Sequence, residues 1–303
     1  MENLNLSPGE IVEKLVESGR KKTGLPAYKL LILGILAGAY IAFAAAGSNA
    51  AIHTIESAGI AKTLAGALFS AGLMMVVITG AELFTGNALI IISCLEKQAR
   101  WIKLLKNWLF VYAGNFIGAI IIVFFVYLSG QYNFSDGMLG GYTVKVAAGK
   151  TGLSLVNAFF MGVLCNWLVC MAVVMSNAAR DTAGKLLAIF FPIWLFITSG
   201  FEHSIANMYY IPAGIIAKAV KPWADQALSL GVTESGLNGL TWGAFITKNL
   251  IPVTLGNIVG GTLFVGVIYW ASYLYKGRKS RRGNRSVEAG FAAGMDVSNG
   301  KNI

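Results

Sequence analysis

Uncharged apolar stretches recur along this chain at the length of a membrane crossing. Leu30 to Ile52 holds no charged residue and places Gly34 and Gly38 four apart. Similar runs follow over about 61–95, 107–130, 151–178, 186–218 and 249–275. Each can supply the roughly 20 helical residues that a bilayer core requires, so the pattern predicts six spans. The second, fifth and sixth are long for one straight crossing, which predicts breaks, tilt or extension beyond the bilayer. Pro252 near the start of the sixth adds a local disturbance. Ahead of the spans, Ser7-Pro8-Gly9-Glu10 reads as a helix start, with Ser as cap and Glu at the third position. Ile11, Val12, Leu15 and Val16 then share one face. They predict a short amphipathic helix, on the membrane surface or packed beneath the bundle.

Polar residues interrupt two of the apolar runs in the same way. One interruption is Gly80-Ala81-Glu82-Leu83-Phe84-Thr85-Gly86-Asn87; the other is Gly200-Phe201-Glu202-His203-Ser204-Ile205-Ala206-Asn207. A carboxylate at the bilayer centre costs at least ~2.5 kcal/mol on insertion scales, so both stretches are candidate functional sites. A second match joins spans three and six: Gly114-Asn115-Phe116-Ile117-Gly118 against Gly256-Asn257-Ile258-Val259-Gly260. Spans one to three and four to six therefore read as two copies, and an odd number of crossings inverts the second. The expected fold class is an all-α membrane protein, a 3+3 inverted repeat with helices two and five broken and a site near the midplane. Unwound backbone at that depth survives only where protein buries it or it lines a wet cavity. Thr85 and Ser204 are the expected caps of the restarting half-helices, whose N-terminal dipole ends attract anions. The preceding half-helices present carbonyls there, so the dipoles leave the sign of the substrate open.

Composition narrows the class. Of 303 residues, 56% are hydrophobic and 13% charged, about half the charged share of a soluble domain. The formal net charge of +10 has an ordinary explanation. Lys97, Arg100, Lys103 and Lys106, then Arg180 and Lys185, then the run from Lys276 to Arg285 follow alternate spans and join the basic N-terminal segment on one side. The positive-inside rule makes that side cytoplasmic, with both termini inside a multi-pass plasma or inner membrane protein and no role for nucleic acid. Residues 1–26 read as the cytoplasmic amphipathic segment, 27–276 as the six-span transmembrane domain, and 277–303 as a basic, polar, disordered tail. The first residues lack a signal-peptide pattern. Cys94, Cys165 and Cys170 lie in apolar segments without CxxC spacing, as packing residues. His53 and His203 are the only histidines, too few for a His-rich metal site, and no cofactor is expected.

These stretches, with Cys165-Asn166-Trp167-Leu168-Val169-Cys170 and the run from Lys248 to Asn257 containing Pro252, resemble the formate/nitrite transporter family over roughly residues 6–276. The resemblance implies an aquaporin-like protomer, a homopentamer and one pore per protomer. It also implies passage of small monovalent anions or their conjugate acids: formate, nitrite, hydrosulfide, sometimes lactate or acetate. Formate is the expected substrate by family frequency. Carried over by motif, the central histidine falls on His203, its threonine partner on Thr85, the pore asparagine on Asn166 and the vestibule lysine on Lys150. The apolar constrictions fall on Phe69, Leu73, Phe84, Val169 and Phe196.

Each assignment has a plainer competitor. His203 either holds the break together or gives a proton or hydrogen bond to a passing anion. The second role suits imidazole, whose unperturbed pKa of about 6.5 lies near working pH, because a bare anion in a dry constriction is heavily penalised. Glu82, Glu202, Asn87 and Asn207 are expected to support the breaks, since a permanent carboxylate charge in the pore would repel anions. A neutral-solute facilitator of aquaporin type should carry paired Asn-Pro-Ala motifs, which are absent. An enzyme would need a metal set, a nucleophile motif or a soluble active-site domain, and none is seen.

Overall fold

The computed structural model describes residues 6–275 and is helical throughout its ordered elements. The tail expected over 277–303, and the basic residues from Lys276 onward, lie outside the described residues. The chain begins with α1 (Pro8–Gly24), where Ser7 accepts the Glu10 N–H and Glu10 accepts the Ser7 N–H in a reciprocal cap. Ile11, Val12, Leu15 and Val16 are buried against Leu89, Cys170, Val174 and Val265, so α1 packs beneath the bundle.

Next come α2 (Ala27–Ile52), α3 (Ala58–Thr79), α4 (Gly86–Leu95, opening as a 3-10 helix) and α5 (Trp101–Leu128). The second half runs through α6 (Met138–Thr151), α7 (Leu155–Ala178), α8 (Thr182–Thr198), α9 (Ser204–Ala217), the short α10 (Lys221–Ser229) and α11 (Glu234–Gly239), and finally α12 (Trp242–Tyr273). Among the described residues, α2, α3, α5, α7 and α12 are long and apolar enough to cross a membrane. α12 carries two π stretches, Phe245–Leu250 and Thr262–Val267. The first ends beside Pro252, whose missing N–H leaves a gap in the helical ladder.

One segment departs from its expected form. Residues 131–150 read as a loop between spans, yet most of them form α6, with Leu139, Thr143, Val144 and Ala147 buried against α9 and α10. Lys145 and Lys150 in a short stretch hide its apolar face from a search for span-length runs.

α2 packs on α5, and α7 packs on α12. Both pairs depend on backbone approaching backbone. A Cβ on Gly118 would run into the Ile35 carbonyl, and one on Gly260 into the Val163 carbonyl. α3 meets α8 through the Trp194 indole, which donates to Thr63 O at 2.8 Å, and through the edge-on rings of Phe69 and Phe196. α3 and α8 therefore run antiparallel, with Thr63 near the start of α3 beside Trp194 near the end of α8.

Candidate functional site

α3 stops at Gly80 and α8 is followed by Gly200, with φ of +74° and +75°. That left-handed conformation suits glycine and turns the chain out of each helix. Residues 81–85 and 201–203 then run without α-helical bonding. Buried backbone groups released in this way need partners. The neighbouring helices supply them in two matching sets. The Glu82 N–H donates to Leu33 O, and the Glu202 N–H to Met161 O. The Asn115 amide donates to Gly34 O and Glu82 O and accepts the Phe84 N–H. The Asn257 amide donates to Gly162 O and Glu202 O and accepts the Ser204 N–H.

The two carboxylates are held in the same fashion. Glu82 takes the Asn87 amide at 2.6 Å and pairs with Lys22 at 3.1 Å. Glu202 takes Asn207 at 2.6 Å and pairs with Lys150 at 2.8 Å. Asn87 also donates to Asn107, and Asn207 to Asn249. Each carboxylate therefore meets an ammonium and an amide, the requirement for ionised groups withdrawn from water. Lys22, Asn107 and Asn249 had no assigned role in the sequence reading. A signal for them exists. Lys-Thr-Gly-Leu stands at both 22–25 and 150–153, and Lys-Asn at 106–107 and 248–249.

The halves differ at their centre. Where the second has His203, the first has Leu83, each directly after the glutamate. His203 is buried and its Nε2 lies 2.9 Å from Thr85 Oγ1. Its Nδ1 accepts the Ala206 N–H at 3.1 Å and so caps α9. An acceptor nitrogen carries no proton, so in the neutral ring the proton sits on Nε2 and points at the threonine oxygen. That leaves the Thr85 hydroxyl hydrogen free to turn toward another acceptor.

Two expected caps are corrected by this arrangement. Ser204 does not cap α9; the imidazole one residue earlier does, and the buried Ser204 hydroxyl has no partner. Thr85 makes no side-chain cap to α4, because its hydroxyl faces His203.

Phe69, Leu73, Val169 and Phe196 surround a cavity of about 10 Å³ together with Ile41, Leu83, Ile193 and His203. A space of that size is at the limit for one water molecule. On the α1 side, Leu73 and Leu83 also border a wider cavity of about 230 Å³, walled by Lys22, Glu82, Asn87 and Asn177. Phe84 is placed elsewhere. Its ring packs edge-on to Trp108 and Tyr112 and floors an apolar groove between α5 and α12. It supports the loop rather than bordering the small cavity, and Leu83 takes the bordering position. Asn166 donates to Thr85 O at 3.2 Å and to Asn257 O at 2.6 Å, so its amide hydrogens fix the loop that carries Thr85. Lys150 is 17% exposed at its side chain and lies over the Tyr210 ring as well as on Glu202.

Known proteins share this chain's length and form. The family profile described as "Formate/nitrite transporter" matches residues 9–271. A probable formate transporter of Methanothermobacter thermautotrophicus is 38% identical over 88% of this chain and 97% of its own. The formate channel FocA of Escherichia coli K12 is 38% identical over 89% of this chain and 95% of its own. A solved structure described as a pentameric formate channel with formate bound superposes with a TM-score of 0.72 at 38% identity, covering 82% of this chain and 98% of that one. A solved FNT family ion channel gives a TM-score of 0.72 at 26% identity, covering 87% and 98%. The matched glycine turns and amide-bound carboxylates, the buried histidine and this breadth of similarity together assign the chain to the formate/nitrite transporter family.

Proposed function

We propose that this protein is a membrane channel for small monovalent anions of weak acids, formate first among them. Nitrite and hydrosulfide are its family alternatives. In this reading α3 with α4, and α8 with α9, each make one broken crossing. α2, α5, α7 and α12 make the other four, as a 3+3 inverted repeat with both termini in the cytoplasm. Five copies assemble, each with its own pore. Relatives named as formate channels at 38% identity support the substrate, and the pentameric neighbour supports the assembly.

The observation that carries the mechanism is the 2.9 Å contact between Thr85 Oγ1 and His203 Nε2 beside an apolar cavity. Phe69, Leu73, Leu83, Val169 and Phe196 make water leave the anion. Stripping a charge of water is costly, and a proton or a strong hydrogen bond offsets that cost. The Nε2–H of His203 and the Thr85 hydroxyl are the donors within reach, and they act as one unit. Lys150 draws the anion from its side and, paired with Glu202, keeps that carboxylate from repelling it. Lys22 does the same for Glu82 at the α1 vestibule.

The test is flux into proteoliposomes. Formate, nitrite and hydrosulfide uptake are followed across a pH series for wild type and His203→Ala. The expected result is uptake that depends on pH in the wild type and loses that dependence in the variant. Unchanged transport and pH profile in His203→Ala would remove the proposed role of the imidazole.

A further inference from the structure

We propose that Cys170 is a positioning residue. With Asn166, and in the space that Gly261 leaves open, its thiol fixes the Thr85 carbonyl and so aims the Thr85 hydroxyl at His203. The role deepens the channel function proposed above and rests on it.

The two halves of the chain match position by position, and a few positions break the match. Lys-Thr-Gly-Leu at 22–25 and 150–153 sets α2 against α7. On that spacing Leu33 answers Met161, and their carbonyls accept the Glu82 and Glu202 N–H groups respectively. The same spacing makes Gly38 answer Asn166 and Ala42 answer Cys170. Asn115 and Asn257 set α5 against α12, so Ala119 answers Gly261. Glu82 and Glu202 set Thr85 against Ile205. The exchanges of polar for apolar therefore gather on one loop, the one that carries Thr85.

The exchanges also fit one another. A Cβ on Gly38 would strike the Asn115 carbonyl, so α2 has no room for a side chain there. At the matching place in the second half, the Asn166 amide donates to Asn257 O at 2.6 Å. Gly261 makes this possible: a Cβ there would lie 2.5 Å from Asn166 Nδ2 and 2.8 Å from Cys170 Sγ.

Cys170, fully buried, completes the grip. Thr85 O accepts the Ala88 N–H at 3.3 Å and an Asn166 amide hydrogen at 3.2 Å, and it lies 3.5 Å from Cys170 Sγ. Asn166 Oδ1 lies 3.8 Å from the same sulfur. Both amide hydrogens of Asn166 go to backbone carbonyls, so its buried oxygen still needs a donor. Among the described residues the Cys170 thiol is the donor that reaches it. A methyl group at 170 would leave that oxygen unanswered and the amide less firmly set against Thr85 O. The opposite loop has no such grip, since Gly38 and Ala42 offer no side-chain donor and Ile205 has no hydroxyl to aim. A buried cysteine that only fills space needs no acceptor; this one faces two, both on the support of the hydroxyl that meets His203.

Formate uptake by the full chain in proteoliposomes, followed across pH, tests the assignment. Cys170→Ala should slow uptake several-fold and displace its pH profile in the direction that Thr85→Val does. Cys170→Ser restores a donor and should bring the profile back toward wild type. In a Thr85→Val background Cys170→Ala should move the profile no further, because nothing remains for it to orient. Ala42→Gly, at the matching position of the first half, also disturbs buried packing. It should lower the thermal midpoint and leave the pH profile in place. A Cys170→Ala profile equal to wild type, or an undiminished further displacement in the Thr85→Val background, overturns the role of the thiol. A second measurement decides the matter if the Cys170 variants fold poorly. With Cys94→Ala and Cys165→Ala combined, Cys170 is the one thiol left in the chain. Its infrared S–H stretch should lie below that of a thiol free of hydrogen bonds, and an unshifted band overturns the proposal. If wild type and His203→Ala share one pH profile, the channel mechanism fails, and the positioning role with it. If those two differ while Cys170→Ala matches wild type, the positioning role alone fails.

Discussion

The Lys150 ammonium stands 2.8 Å from Oε1 of Glu202, with the lysine side chain 17% exposed and the glutamate 6%. Removing one partner of a pair this withdrawn strands a charge, at a cost of about 3–5 kcal/mol. Lys150→Ala should therefore lower the thermal midpoint of the detergent-solubilised protein and abolish formate flux. Lys150→Met combined with Glu202→Gln should recover most of the midpoint, because no lone charge remains. If Lys150 also draws anions, the double variant should transport more slowly than wild type and respond less to ionic strength. A single variant as stable as wild type would refute the balancing role.

The Thr85–His203 contact makes a second prediction. Thr85→Val keeps the shape but leaves the Nε2–H without its acceptor, a loss of roughly 1–3 kcal/mol for a buried donor. Thr85→Ser keeps the hydroxyl. Formate uptake against pH should be altered in the valine variant and close to wild type in the serine variant. Equal profiles for the two would show that the hydroxyl is dispensable.

Asn257 and Asn115 hold equivalent loops, yet their loss should have unequal consequences. Each donates to two backbone carbonyls and accepts one N–H. Alanine at either position strands buried backbone groups, and each group costs about 1–3 kcal/mol. Thermal midpoints of Asn257→Ala and Asn115→Ala should fall by similar amounts. Flux should suffer more in Asn257→Ala, because Asn257 grips Glu202 O and Ser204 N on either side of His203, whereas Asn115 brackets Leu83. Equal residual flux at equal stability would contradict the special place given to the histidine.

The ends of α3 and α8 were legible because Gly-x-Glu inside an apolar run has few peaceful explanations. The buried face of α1 was legible from its spacing alone. The pairing of Thr85 with His203 was not a matter of pattern: it came from resemblance, since no periodicity joins residues so far apart. The capping role of His203 escaped because serine and threonine are the usual caps, and an imidazole acceptor is seldom considered. The resemblance implied a constriction role for Phe84, but its ring packs on Trp108 and Tyr112, a contact that no motif announces. The partners of the carboxylates were hidden in a different way. Lys22 lies in a basic segment and Asn107 at the start of an apolar run, and only comparison of the halves, through Lys-Thr-Gly-Leu and Lys-Asn, gives both a purpose.

The cap of α1 should make its docking sensitive to acid. Glu10 accepts from the Ser7 hydroxyl at 2.6 Å and from the Ser7 N–H at 2.7 Å. The hydroxyl first and the N–H second hold the carboxyl below its ordinary value of 4.5, helped slightly by the Arg180 charge. A carboxyl depressed in the folded state binds fewer protons there than in the frayed one, so its contribution is complete above the ordinary value. The contribution is lost as pH falls through the depressed one. Hydrogen exchange of the first turns of α1, corrected for intrinsic rates, should show protection near neutral pH that declines in acid below 4.5. Ser7→Ala should reduce the neutral-pH protection and flatten its dependence on pH, because the hydroxyl that caps the helix and depresses the carboxyl is gone. Glu10→Gln should flatten the dependence while keeping part of the cap, since its amide oxygen still accepts the Ser7 N–H. The acidic decline surviving undiminished in both variants would place the sensitivity elsewhere in the fold.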